Sequence, residues 1–328
     1  MIIFVAIGHT PRYTRDALTQ ARQSNPGERI ALLHEGAAAG WRRFAAAAKV
    51  DLFDIRYLRD DLRLAEFRRR SEPRLRFRSG FWQHTTSRFF VLRAFMERGR
   101  IDVATHLEND VLLYAPLIDL ALWPPFCEPV LSTVFESPER AIPNVVRIGA
   151  RRCLDAFADF VLAQSETGVS DDMARVAAFR RARPEWVADL PTLPPKHAHR
   201  SEWTDSLFAA DVAPIPLPPG GWLFDGARFG QYLGGYDPRN SAWWLQRWSR
   251  WQRGDLRQPH GFVNERCVDD PSRYNYCVIK PTGLAVPAIV SKEHRFPLAN
   301  LHVHSKNLHR FSSATLDGVL ASNERIRP

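Results

Sequence analysis

The sequence predicts an α/β fold with a Rossmann-like, mostly parallel central sheet flanked by helices, and three observations carry that expectation. Short apolar runs at residues 2–7, 30–33 and 103–107 alternate with segments whose apolar residues recur at helical spacing. Turn and breaker residues, Gly8-His9-Thr10-Pro11 and Asn25-Pro26-Gly27, separate the first of these segments. The bulk numbers agree, since 328 residues with 45% hydrophobic and 25% charged content have the profile of a soluble globular protein.

The elements follow in order. Residues 2–7 form the first strand: six apolar residues with no basic residue ahead of them are too few for a signal h-region or a membrane span. Thr14 can cap a helix whose Ala17, Leu18 and Ala21 share a face, and residues 25–27 stop it. Residues 30–33 give the second strand and 41–48 the second helix. A third strand carries Phe53, Ile55 and Tyr57 on one face. Phe89, Leu92, Phe95 and Met96 recur at helical spacing until Gly99. Residues 103–107 then run as a strand into Glu108-Asn109-Asp110.

The second half is less regular. Prolines cluster at 191–197 and 214–219, helices are expected around Leu154, Phe157 and Val161 and around Met173, Val176 and Ala177, and residues 243–251 hold four of the ten tryptophans. Such an aromatic cluster is read first as core and second as a sugar platform. No internal repeat, low-complexity tract or clear linker is visible, so one domain of unequal parts is expected. The four cysteines have no CxxC spacing, which fits neither a zinc site nor a dense disulfide framework, and a reducing cytoplasm is the expected compartment.

Charge is uneven. Residues 56–100 hold 13 arginines against five acids, an excess of eight that nearly accounts for the net +9 of the whole chain. A stretch of this kind can attract an anionic membrane face, a nucleic acid or an anionic substrate, or can be a solvated surface in a chain that prefers Arg to Lys. An anion- or nucleic-acid-binding protein built on this stretch is therefore the alternative reading, with Phe67, Phe77, Phe81 and Trp82 as aromatic partners for bases. Nucleic acid is the less favoured partner, because it leaves the acidic motif unused. A glycine-rich phosphate loop after the first strand is missing, which argues against a nucleotidyltransferase, and the lack of G-x-G-x-x-G argues against a hydride-transferring enzyme.

Glu108-Asn109-Asp110 stands where ligands bind in open α/β sheets, beyond the carboxyl end of a strand. Carboxylates spaced i, i+2 suit Mn²⁺ or Mg²⁺, and such an ion can bridge a diphosphate leaving group. Near the far end, His302 and His304 would point to one side of an extended segment, so that either could complete the metal shell. Lys306, one of only five lysines, is a compact charge suited to a diphosphate.

The tripeptide, the run Ile2-Ile3-Phe4-Val5-Ala6-Ile7-Gly8-His9, the segment Phe224-Asp225-Gly226 to Asp237-Pro238-Arg239-Asn240, Gly261-Phe262-Val263-Asn264-Glu265 and Asn300-Leu301-His302-Val303-His304-Ser305-Lys306 together resemble bacterial GT-A nucleotide-sugar glycosyltransferases. The resemblance covers most of the chain, although residues 116–220 add little to it. It implies that Glu108 and Asp110 match a DxD metal motif and that Gly220-Gly221 through Gly226 match a glycine-rich acceptor loop. It further implies that Glu265 matches the catalytic acid position, and that His302 or His304 matches a late metal-binding histidine. Glu108 replaces the first Asp of that motif, and Asn264-Glu265 replaces an acidic pair.

Metal candidates are thus Asp110, Glu108, His302 and His304. Ile7, Gly8, Arg88, Glu108, Asn109, Asp110 and Lys306 are the candidates for the nucleotide and its diphosphate, with Arg88 placed early in the helix leading to the motif. Glu265 would act as general base, with Asp225 and Asp237 as rivals beside glycine-rich turns where Asp also closes turns. The expected reaction moves a sugar from a nucleoside-diphosphate sugar, UDP favoured, to a glycan or glycolipid of the cell envelope. The expected organisation is a nucleotide-sugar half (1–115), an acceptor half (116–300) and a C-terminal metal and diphosphate segment (301–328). Peripheral contact with the inner membrane face is a further expectation, and the sequence says nothing of oligomeric state.

Overall fold

The computed structural model describes residues 1–71, 81–164, 171–192, 218–227, 229–230, 233, 275–291 and 294–316. Its strands are β1 (Ile2–Ala6), β2 (Ile30–His34), β3 (Val50–Asp54), β4 (Ala104–Leu107), β5 (Val111–Leu113), β6 (Leu131–Ser137), β7 (Arg140–Ile148), β8 (Val187–Asp189), β9 (Asn275–Ile279), β10 (Val286–Ser291), β11 (His294–Pro297) and β12 (Asn300–His302). Its helices are α1 (Thr14–Ser24), α2 (Ala39–Ala48), α3 (Leu62–Ser71), α4 (Phe81–Arg98), α5 (Leu117–Leu120), α6 (Pro124–Cys127), α7 (Arg151–Ala163) and α8 (Asp172–Ala182). The chain divides into two compact units. The first comprises Met1–Arg12, Pro26–Asn109 and Ala121–Leu190, and the second Tyr13–Asn25, Asp110–Leu120 and Pro191–Pro328.

The first unit is the expected α/β body. Its seven-stranded sheet has the order β3-β2-β1-β4-β7-β6-β8. Neighbouring pairs are parallel except where β7 meets β4 and β6, so β7 alone runs against the other six. The strands β1, β2 and β4 are buried throughout, so β1 and most of β2 read as continuous apolar runs instead of alternating ones, while β4 also encloses Thr105 and His106. The order reverses between β1 and β4, and ligands of open α/β sheets bind beyond the carboxyl ends at such a switch point. Here those ends are Ala6-Ile7-Gly8 and Leu107-Glu108-Asn109.

The core of this unit is built on α4. Residues 89–92 and 94–96 are all buried, so the helix is enclosed on every side and not along a single stripe. Phe89 meets Phe157 of α7 edge-on at 4.9 Å, and Phe90 stacks on Phe67 of α3 at 4.5 Å. Each such ring contributes roughly 1.5–3 kcal/mol through burial. Buried Arg93 interrupts the apolar run, and its charge is met by Asp61, Glu97 and Asp155.

Three local expectations change. The third strand stops at Asp54, whose carboxylate accepts the Arg56 amide at 3.0 Å and starts a 3-10 turn over Ile55–Leu58. Ile55 is consequently buried and Tyr57 exposed, and the two do not share a strand face. Thr14 is the first residue of α1 and not its cap, because Tyr13 holds the N-cap position without a side-chain bond. At the end of α4 the left-handed residue is Arg100, with φ 50°, and not Gly99.

The second unit gathers α1, β5, α5 and β9 to β12. An antiparallel three-stranded sheet has the order β11-β10-β9, and β12 pairs antiparallel with β5, setting His302 opposite Val111. Helix α1 secures β5 through polar contacts: the Ser24 hydroxyl donates to the Leu113 carbonyl at 2.8 Å, and Asn25 bridges the Ala115 carbonyl and the Leu117 amide. The expected tryptophan cluster at 243–251 lies outside the described residues.

Candidate functional site

In the second unit the pairing of β5 with β12 makes the site. The Val303 amide donates to the Asp110 carbonyl at 3.0 Å, continuing the ladder one step past His302 and Val111. Two segments nearly two hundred residues apart are thereby held side by side. The His302 Nε2 lies 3.5 Å from Asp110 Oδ2, and the Lys306 ammonium donates to the same oxygen. All three side chains are nearly enclosed, at 12%, 10% and 8% exposure for Asp110, His302 and Lys306. Burial by itself would raise the Asp110 pKa, but Lys306 and the imidazoles of His302 and His304 overcome it and hold the carboxyl well below the usual range.

His302 and His304 do come together, with ring centroids 4.4 Å apart and planes nearly perpendicular. The strand ends at His302, however, and a turn closed by the Lys306 amide on the Val303 carbonyl carries the chain past His304. Lys306 closes that turn in the left-handed region, with φ 63°, and its ammonium lies 5.6 Å from the centre of the Tyr13 ring.

Asp225 supports this arrangement from behind. Its fully buried carboxylate accepts the amides of Phe229 at 3.0 Å, Gly230 at 2.8 Å and His302 at 3.0 Å. Burial raises its pKa while these amides pull it down. Its backbone is locked to Asn300 in both directions at 3.1 Å. Gly230 fits because it has no side chain: a Cβ there would stand 2.6 Å from Asp225 Oδ2 and from the His302 carbonyl oxygen. This is the turn chemistry expected as the alternative to a catalytic part for Asp225.

The first unit holds the remaining candidates. Arg88 is buried, with its guanidinium on Glu108, on Asp172 Oδ2 at 2.5 Å and on the Pro143 carbonyl at 3.1 Å. Burial raises the Asp172 pKa, and Arg88 opposes the rise. The Asn109 amide donates to the Val5 carbonyl at 2.7 Å, tying the exit of β4 to β1. Half-buried Ile7 and exposed Gly8 follow β1, with the Gly8 amide on Glu35 Oε2 at 2.8 Å and φ 77°. His106 on β4 sets Nδ1 3.0 Å from the Ile3 carbonyl, and burial, followed by the nearby Arg88 charge, pushes its pKa down to about 3.

Glu265 and Asp237 lie outside the described residues. Sequence reasoning missed Tyr13, Asp172 and Asn300. Asp172 follows the N-cap Asp171 and looks like an ordinary first-turn acid, so nothing local marks it as the partner of Arg88. Many arginines of the basic stretch are internally compensated: Arg56 pairs with Asp54, Arg63 with Asp159, Arg69 and Arg70 with Glu66, and Arg93 with Glu97.

Asp110 and His302 fit a divalent cation, since a carboxylate oxygen and an imidazole nitrogen 3.5 Å apart can serve as ligands of one ion. No protein-family model and no curated protein sequence matches the chain. Among solved structures, the chain is similar to the PaToxG glycosyltransferase at 10% identity, over 56% of this chain and 67% of that one, with a TM-score of 0.39. The apo form of glycosyltransferase GlyE from Streptococcus pneumoniae TIGR4 matches at 15% identity and TM-score 0.39 over 58% of this chain, which spans less than half of GlyE, 44%. Mouse xyloside xylosyltransferase 1, apo form, matches at 12% identity over 66% of this chain and 99% of that one, with a TM-score of 0.40.

Proposed function

We propose that this protein is an enzyme, a metal-dependent glycosyltransferase of the GT-A type. It moves a sugar from a nucleoside-diphosphate sugar, UDP-sugar favoured, to a glycan or glycolipid acceptor in cell-envelope polysaccharide synthesis. The observation that supports this reading best is Asp110 beside His302 and Lys306, a carboxylate, an imidazole and an ammonium brought together from segments nearly two hundred residues apart.

Asp110 and His302 would hold the ion, with His304 as the alternative imidazole and Glu108 as the other acid of the same tripeptide. A bound divalent cation would supply a Lewis acid for the charge that grows on the departing diphosphate. Lys306 offers that diphosphate a compact positive charge. Arg88, held by Asp172, fixes the Glu108 carboxylate, and Asn109, Ile7 and Gly8 at the exits of β4 and β1 are assigned to the nucleotide. Glu265 is the proposed general base, with Asp237 as its rival, taking the proton of the acceptor hydroxyl for roughly 10² to 10⁴ in rate. Asp225, already accepting three amides, is assigned to holding His302. We place the protein in the cytoplasm, in peripheral contact with the inner membrane face. No helix among the described residues is long and apolar enough to cross a membrane.

The test is thermal. Mn²⁺ with UDP should raise the melting temperature of the wild-type protein, and Asp110→Asn should abolish the rise. A wild-type protein that no nucleoside diphosphate stabilises, with or without Mn²⁺, would remove the transferase reading. The anion- or nucleic-acid-binding reading gains nothing from arginines already paired with neighbouring acids.

A further inference from the structure

Lys306 makes a contact that its proposed service to a diphosphate does not explain. Its ammonium sits on Asp110 Oδ2, the oxygen that also faces His302 Nε2 at 3.5 Å. That is the position a divalent ion shared by Asp110 and His302 would need. Both partners are nearly buried, so solvent screens the charges poorly. An ammonium and a divalent cation on one enclosed carboxylate oxygen repel strongly at contact distance, which sets the two in competition.

We propose that Lys306 is a tethered cation that occupies the metal position of Asp110, that a divalent ion must displace it, and that a diphosphate is the anion that receives the displaced ammonium. The proposal rests on the reading of Asp110 and His302 as metal ligands. The Tyr13 ring, 5.6 Å from the ammonium, offers the cation a second favourable contact. A buried ammonium deprived of its carboxylate needs a new anion, and the diphosphate of a sugar nucleotide carries the charge required. Metal and nucleotide should therefore help one another to bind, and the coupling must be reciprocal.

Mn²⁺ binding to the full-length protein, followed by the electron paramagnetic resonance signal of free Mn²⁺, tests this with and without UDP. Lys306→Met is expected to bind Mn²⁺ alone at least tenfold more tightly than wild type, and the gain that UDP adds should shrink by a similar factor. Lys306→Arg keeps the cation and should retain the weak binding of wild type, which separates loss of charge from disturbance of the fold. Equal or weaker Mn²⁺ binding by folded Lys306→Met overturns the proposal, while the metal reading survives if Asp110→Asn still abolishes Mn²⁺ binding in the presence of UDP. If wild type and Lys306→Met both bind neither Mn²⁺ nor UDP, the proposal and the reading beneath it fail together.

Discussion

His106 shows how far a single side chain here departs from its behaviour in water. Enclosed on β4, it keeps one ring nitrogen on the Ile3 carbonyl and titrates near 3 instead of 6.5. Between those values the unfolded chain takes up a proton that the folded one refuses. The stabilising contribution is thus complete above about pH 6.5 and is lost as pH falls toward 3, at about 1.4 kcal/mol per pKa unit of difference. Urea unfolding of His106→Asn, whose amide can reach the same carbonyl, should lose this acid sensitivity, gaining on wild type by a few kcal/mol between pH 7 and pH 4.5. Parallel stability profiles for the two proteins would refute the assignment. At this scale the sequence was informative about His302 and Lys306, because a pair of histidines at i, i+2 followed by a rare lysine is visible without a fold. It was silent about Asp172 as the partner of Arg88, 84 positions away, and about the bond from the His302 amide to Asp225, 77 positions away, since no local pattern records which distant amide or guanidinium a carboxylate will meet.

Among the elements, those marked by a short apolar run or by apolar residues at helical spacing were legible: β1, β2, β4, α4, α7 and α8 all lie where the sequence reading puts them. The direction of β7 was not, because a buried strand carries the same apolar run whether its neighbours are parallel or antiparallel to it. The end of β3 was misplaced for another reason. Phe53, Ile55 and Tyr57 alternate like a strand, but the Asp54 carboxylate captures the Arg56 amide and turns the chain. The link between Asp225 and β12 gives an element-scale prediction. Gly230→Ala places a methyl group against Asp225 Oδ2 and the His302 backbone, and overpacking of this kind costs about 1–3 kcal/mol. Thermal unfolding should show a clearly lowered melting temperature, and an unchanged one would mean that this segment does not hold β12 in place.

At the scale of the whole molecule, charge and connectivity are the informative quantities. The net +9 is concentrated in residues 56–100, yet many of those arginines already face acids within the first unit. What remains can still draw the protein to a negatively charged surface, and exposed Tyr57 and Leu62 lie in the same stretch. In a flotation assay at low salt, vesicles rich in anionic lipid should carry part of the protein upward, and physiological salt should release it. Protein that stays at the bottom of the gradient at low salt would exclude membrane attachment by this route. Composition and period also leave one global feature unmarked: Tyr13–Asn25 and Asp110–Leu120 fold with residues from 191 onward instead of with their immediate neighbours in sequence. Contacts across such separations are decided by packing in three dimensions, which a one-dimensional pattern does not encode.

The ladder of β5 and β12 also sets a timetable. Asp110 leaves the ribosome well before the imidazole that joins it, which arrives only after residue 302 has been translated. Until then its carboxylate lacks both the histidine and the lysine that surround it in the finished protein. The proposed chemistry therefore becomes accessible only once β12 has been made and has docked on β5.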